Sequence, residues 1–143
     1  MADGNEPQYD FYVLYEDENE EDEQYAREIV ETLERMGNLK GFVSYRDDKP
    51  NHTFLQNAQH ALTKSRYVLL LVSNSSVSDG FWDFKTTIAL CNQIQNRRET
   101  VVPIFLPELD EDNIPMCLSI YHGVSYENDP EANWSTLRRL FQQ

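Results

Sequence analysis

The side chains best suited to chemistry are few and scattered. Histidine occurs three times, at His52, His60 and His122, and cysteine twice, at Cys91 and Cys117. A histidine base serving a nucleophile belongs in a frame such as GxSxG, and none surrounds these residues. They read as surface or helix-packing side chains. HExxH and CxxC spacings are absent, which leaves zinc without a ligand set. Both cysteines sit in apolar surroundings and read as buried thiols. The five glycines form neither GxGxxG nor GxxxxGK(S/T), so the backbone cradles that hold nucleotide phosphates are missing. A phosphoacceptor site is met only in part. Glu16 and Asp17 follow the first apolar run, but the third ends Val72-Ser73-Asn74 without an Asp, and no Lys follows Lys85. These residues assign no catalytic, cofactor or metal site.

The elements that would position any site come next. A chain of 143 residues fits one domain, long enough to bury a core without disulfides or metal. Its 40% hydrophobic and 12% aromatic content is too rich for a disordered acidic chain. The net charge of −13 argues against nucleic acid or anionic lipid, since phosphate binding needs a basic patch. The imbalance is local. Residues 1–34 carry 13 acids against Arg27, a net of −12, and residues 35–143 sum to −1. The polar first ten residues are no signal peptide, and no apolar run approaches the roughly 18 residues of a membrane span. A reducing, cytoplasmic setting follows, with no direct membrane insertion. The sequons at Asn51, Asn74 and Asn133 therefore read as unglycosylated.

Residues 1–8 read as a disordered acidic lead and 9–143 as the domain. Tyr9–Tyr15 predicts a strand. Glu20–Met36 predicts a helix, with Tyr25, Ile29, Leu33 and Met36 on one face and acids at its start, where the macrodipole favours them. Gly41–Tyr45 predicts a short strand, and Arg46–Asn51 a proline-containing turn. Thr53 is the expected N-cap of a helix to about Ser65 that buries Leu55, Ala58 and Leu62. The apolar run Tyr67–Ser73 predicts a strand covered on both faces. A helix over Phe81–Gln95 is expected to bury Phe81, Phe84, Ile88 and Cys91. Val101–Leu106 predicts a strand whose Pro103 suggests an edge or a strand start. A short strand within Ile120–Tyr126 and a helix over Asp129–Phe141 close the chain. The alternation predicts an α/β fold with a parallel sheet and helices on both faces.

Several of these segments carry a family resemblance. Tyr9-Asp10-Phe11-Tyr12-Val13-Leu14-Tyr15 resembles the first-strand motif of Toll/interleukin-1 receptor (TIR) domains. Arg46-Asp47-Asp48-Lys49-Pro50-Asn51 resembles their BB loop, with Asn51 in the usual glycine position. Ser65–Ser73, Asp79–Phe84 and Val101–Ile104 are similar to the segments that follow, in order and in register, so the resemblance covers Tyr9 to Phe141. It implies a flavodoxin-like five-stranded parallel sheet and innate-immune signalling by homotypic or heterotypic assembly with other TIR domains. The contact would be the BB loop, Arg46, Asp47, Asp48, Lys49, Pro50 and Asn51, pre-ordered by Pro50. The plainer alternative is a solvated turn in which Arg46 and Asp47 cap their neighbours. NAD⁺-cleaving TIR domains carry a WxxxE frame. Here Trp82 is followed at that spacing by Thr86, so the resemblance implies a non-catalytic module, an NAD⁺ glycohydrolase with an atypical acid being the alternative. Val102–Leu109 looks most like the TRIF/TRAM adaptors; receptors and invertebrate fusions to a STING-type sensor are other hosts for such a domain. Trp82 and Trp134 read as core. The basic pairs Arg97-Arg98 and Arg138-Arg139 read as solvated helix ends, the alternative being contact with the acidic block of a neighbouring molecule. The run Glu16, Asp17, Glu18, Glu20, Glu21, Asp22 and Glu23 is either a solvated helix start or an acidic docking face for a basic partner.

Overall fold

In the computed structural model the chain alternates strands and helices, and residues 7–96, 100–114, 118 and 123–142 are described. His122, Cys117, the Arg97-Arg98 pair and most of the acidic lead lie outside them. Strands β1 (Tyr9–Leu14), β2 (Gly41–Val43), β3 (Ser65–Val72), β4 (Val101–Phe105) and β5 (Val124–Ser125) form one parallel sheet of order β2-β1-β3-β4-β5. Helices α1 (Glu20–Met36) and α5 (Pro130–Phe141) cover one face. Helices α3 (Phe54–Lys64) and α4 (Gly80–Asn96) cover the other, and α2 (Ser44–Asp47) is a single turn after β2. Each face buries its own core: Phe11, Val13, Leu69 and Leu71 point to α1 and α5, and Tyr12, Leu14, Leu70 and Val72 to α3 and α4. Strand residues alternate between faces, which is why the central run Val68–Val72 is apolar throughout.

The helix starts follow their caps. Asn19 accepts from the Asp22 N–H to open α1, Asp129 accepts from the Glu131 N–H to open α5, and Thr53 and Gln56 form a reciprocal capping box at α3. Four expectations change. Leu55 is exposed, and α3 instead buries Asn57, Ala58, Ala61 and Leu62, so its inward stripe is rotated away from the N-terminal leucine. In α4 the buried face is Trp82, Lys85, Thr86, Ala89 and Gln93, and Phe84 and Cys91 are exposed. The apolar spacing of that helix is out of phase with its packing because the inward Lys85 and Gln93 find partners. The strand β2 stops at Val43, where the chain turns into α2. Pro103 lies in β4, one strand in from the edge. Thr100 C=O and Leu106 N–H bond to β3, so the even positions face β3 and Pro103 faces β5, which begins only at Val124 opposite Ile104. The missing N–H therefore removes no ladder bond.

Candidate functional site

The loop that follows β2 splits into two halves with different jobs. As an edge strand, β2 turns the Gly41 and Val43 peptide groups outward, and unsatisfied edge groups invite pairing with other chains. Side chains close them. Gly41 N–H donates to Glu34 Oε2 (3.2 Å), Arg46 Nη2 donates to Gly41 C=O (2.9 Å), and Val43 N–H donates to Asp47 Oδ2 (2.9 Å). Arg46 also grips Glu34 bidentately (2.7 and 2.9 Å) and meets Asp47 through Nε (3.1 Å). These donations hold the Glu34 carboxyl below the usual range and push the Arg46 guanidinium up. Arg46 and Asp47 thus brace the sheet edge, which is the plainer of their two sequence readings.

The second half projects. Lys49, Pro50, Asn51 and His52 are exposed at the tip, where His52 N–H closes a turn on Lys49 C=O. Its anchor is Asn57, which the motif reading missed: its side chain accepts from Lys49 N–H (3.0 Å) and donates to Lys49 C=O and Thr53 C=O. A polar residue on the inward stripe of α3 is the sequence signal for such a clamp. A cavity of about 230 Å³ lies beneath, between Tyr9, Phe42, Lys49 and the two described histidines.

Beside the loop, α4 and the β1–α1 connection enclose a buried cation. Lys85, 4% exposed, donates to Tyr15 C=O (3.2 Å), pairs with Asp17 (3.2 Å) and lies 5.5 Å from the Phe54 ring centre. Burial raises the Asp48 carboxyl, Asp17 adds to the rise and Lys85 opposes it. Burial likewise pushes the Tyr15 phenol up to about 12. Trp82 is fully buried, as expected, and donates Nε1–H to Leu71 C=O (3.2 Å). Thr86, four residues on, is 5% exposed and its hydroxyl has no partner among the described residues. Phe84, 48% exposed, pairs with Phe54 at the rim (6.3 Å between centroids). Trp134 is half-buried against the α1 core.

The acidic run does not present one face. Glu16 is buried and accepts from Glu18 N–H. Asp22 is 3% exposed and accepts from Ser73 Oγ–H at 2.6 Å. Burial pushes its carboxyl up to about 6, against the lowering bond from Ser73. Asp17 is taken by Lys85, and Glu23 by Tyr15 and Arg27. Glu18, Glu20 and Glu21 are the exposed remainder.

A doubly wound parallel sheet with its loops and buried polar groups gathered beyond the strand carboxyl ends defines a flavodoxin-like α/β domain. The TIR domain family profile matches residues 11–141, and the chain belongs to that family. It is 25% identical over 141 residues to a Toll-like receptor 4 of Pinctada imbricata, covering 92% of this chain and 15% of the receptor. The chain thus spans a small part of that relative. Its fold is similar to the TIR domain of a Toll-related receptor from Hydra magnipapillata (TM-score 0.75, 24% identity, 95% of this chain and 100% of that one). It is also similar to a metazoan TIR-STING receptor from C. gigas in complex with 2′,3′-cGAMP (TM-score 0.80, 20% identity, 96% and 40%). Among the described residues no helix is long and apolar enough to cross a membrane.

Proposed function

We propose that this chain is a non-catalytic, cytoplasmic TIR signalling module of innate-immune type, acting by assembly with other TIR domains through the tip of the loop after β2. One observation carries the non-catalytic part. The position four residues after Trp82 holds Thr86, and beside it the inward face of α4 presents the Lys85 ammonium, already paired to Asp17. A hydroxyl, with a cation one residue before it, occupies the position that the WxxxE frame gives to the acid. The assembly part is supported by the Asn57 clamp, which spares the tip much of the ordering cost of docking. The adaptor likeness rests on Val102–Leu109 alone, and the relatives above are receptors, so the module is assigned to no subgroup.

Incubating concentrated chain with NAD⁺ and assaying nicotinamide tests the reading, and no release is expected. A second reading has one observation in its favour, the raised Asp48 carboxyl beside Asp17 and Lys85. Steady release abolished by Asp48→Asn or Asp17→Asn would establish that reading in place of the first. For assembly, Pro50→His should abolish concentration-dependent association without lowering the melting temperature.

A further inference from the structure

The cavity beneath the loop after β2 combines an aromatic floor with a polar mouth. The floor is Tyr9, which opens β1, Phe42 of β2 and His60 of α3. These rings meet edge to face: Tyr9 and Phe42 at 5.3 Å, Tyr9 and His60 at 6.0 Å, Phe42 and His60 at 6.2 Å. Phe42 belongs to the core on the α3 side, so packing fixes the floor. Rings so arranged accept a further planar ring, stacked with an offset or set edge to face.

At the mouth, Lys49, His52 and Gln59 are exposed, and their side chains have no hydrogen-bond or ion-pair partner among the described residues. Asp47 is the one carboxylate among the described lining residues, and Val43 N–H and Arg46 already engage it. Asp48 does not line the cavity and lies toward Lys85 and Asp17 instead. The charge left available at the mouth is therefore a cation, in a chain whose net charge is −13. Its backbone is anchored in advance, because Asn57 holds both Lys49 N–H (3.0 Å) and Lys49 C=O (3.3 Å). The volume of about 230 Å³ lies below the roughly 300–1,000 Å³ of sites for drug-sized ligands, which limits an occupant to one or two rings. One lysine beside an engaged carboxylate suits a monoanion better than a phosphate dianion.

We propose that this cavity binds a small aromatic carboxylate, its ring on Tyr9, Phe42 and His60 and its carboxylate on Lys49. His52 and Gln59 supply further donors. The site shares no lining residue with the cluster of Lys85, Asp17 and Asp48, so it is separate from the crevice of the second reading above. Binding ties the Lys49 side chain down toward α3 and withdraws it from the tip, which makes the ligand a brake on docking. That consequence alone rests on the assembly reading.

The test is amide NMR on the full chain, titrated with benzoate, indole-3-carboxylate and naphthalene-1-carboxylate to about 10 mM, enough to detect the roughly millimolar affinity of molecules this small. At least one should give saturable shifts centred on Lys49, Asn57 and His60. Neutral indole and cyclohexanecarboxylate each lack half of the recognised pair and should bind about tenfold or more weakly. Lys49→Glu should weaken binding at least as much without lowering the melting temperature, because Asn57 engages only the Lys49 backbone. Lys49→Gln stands in if that variant unfolds. No saturable shift from any of the three carboxylates, indole binding as tightly as its carboxylate, or binding unmoved at Lys49 would each overturn the site. Sedimentation velocity with saturating carboxylate should show weaker association of the wild type. Binding that leaves association unchanged overturns the brake. A wild type that never associates overturns the assembly reading and leaves the site standing on the titration.

Discussion

Replacing Arg46 by Ala separates bracing from contact at the loop after β2. Its guanidinium closes the Gly41 carbonyl, grips Glu34 with two bonds and orients Asp47, which in turn caps Val43 N–H. The Arg46 side chain is 40% exposed, so the Glu34 pair itself is screened and contributes about 0.5–1 kcal/mol. The charge-assisted bond to Gly41 C=O adds about 1.5–2 kcal/mol. Loss of about 2–3 kcal/mol should lower the melting temperature by about 6–10 °C in a domain of this size. Arg46→Lys keeps the charge without the fork and should recover less than half. Acid should shrink the difference. The folded Glu34 carboxyl lies below its ordinary value, so its stabilisation is present above about pH 4–5 and lost as pH falls through the folded value. The uncovered β2 edge should also raise aggregation on warming.

The assay is thermal unfolding at pH 7 and at pH 3, with association measured well below each variant's transition. A melting temperature within about 2 °C of wild type, together with lost association, would refute the bracing argument and make Arg46 a contact residue. The expected result is the opposite pairing, a lowered transition with association retained at low temperature. Pro50→His should invert it. Reversing Arg46 and Asp47 is for the same reason a poor test of docking, because it strips the sheet edge first.

Further outcomes follow from buried polar groups. Asp22→Asn should flatten the pH dependence of stability. The raised Asp22 value means the folded chain binds more protons than the unfolded one between about pH 4 and 6, so wild-type stability falls as pH rises through that window, and urea midpoints across it read the difference. Thr86→Val should be neutral or stabilising by up to about 1 kcal/mol, since it removes a buried hydroxyl without a partner; a loss above that in the same urea assay would mean the hydroxyl serves something. Trp82→Phe should cost about 2 kcal/mol by orphaning Leu71 C=O and opening a gap beside it, read by thermal unfolding.

Most of the fold was legible because its signals are local. The acidic start and one apolar face mark α1, Thr53 as N-cap marks α3, and an apolar run marks β3. What misled was phase. In α4 the apolar spacing selected Phe84 and Cys91, while packing buried Lys85, Thr86 and Gln93. A lysine reads as surface until a carbonyl and a carboxylate 70 and 68 positions away converge on it. The site was legible as a segment, Arg46–Asn51, and not as a division of labour. That division depends on Gly41 lying at an open edge, a fact of strand order that composition does not carry.

The net charge of −13 gains a different meaning in three dimensions. Along the sequence the excess sits in residues 1–34, and the remainder nearly cancels. In space the remainder is partly sorted: Arg35, Lys40, Lys64, Arg66, Arg138 and Arg139 lie toward the amino end of the sheet, while Arg46, Lys49 and Lys85 lie among the acids of the carboxyl end. Part of this needs no partner to explain it. Acids at helix starts and bases at helix ends each gain about 0.3–1 kcal/mol from the macrodipole, and in a fold whose long helices all point one way those local gains add to an end-to-end dipole. Helix compensation does not reach Glu108, Asp110 and Glu127, which lie in loops outside the first turn of any long helix. The helix-terminal charges can therefore be credited to folding, and the loop acids are the part of the dipole that helix compensation does not account for. Neutralising Glu108 and Asp110 together should accordingly weaken self-association while moving the melting temperature by less than about 2 °C. Equal effects on both would return the whole dipole to folding.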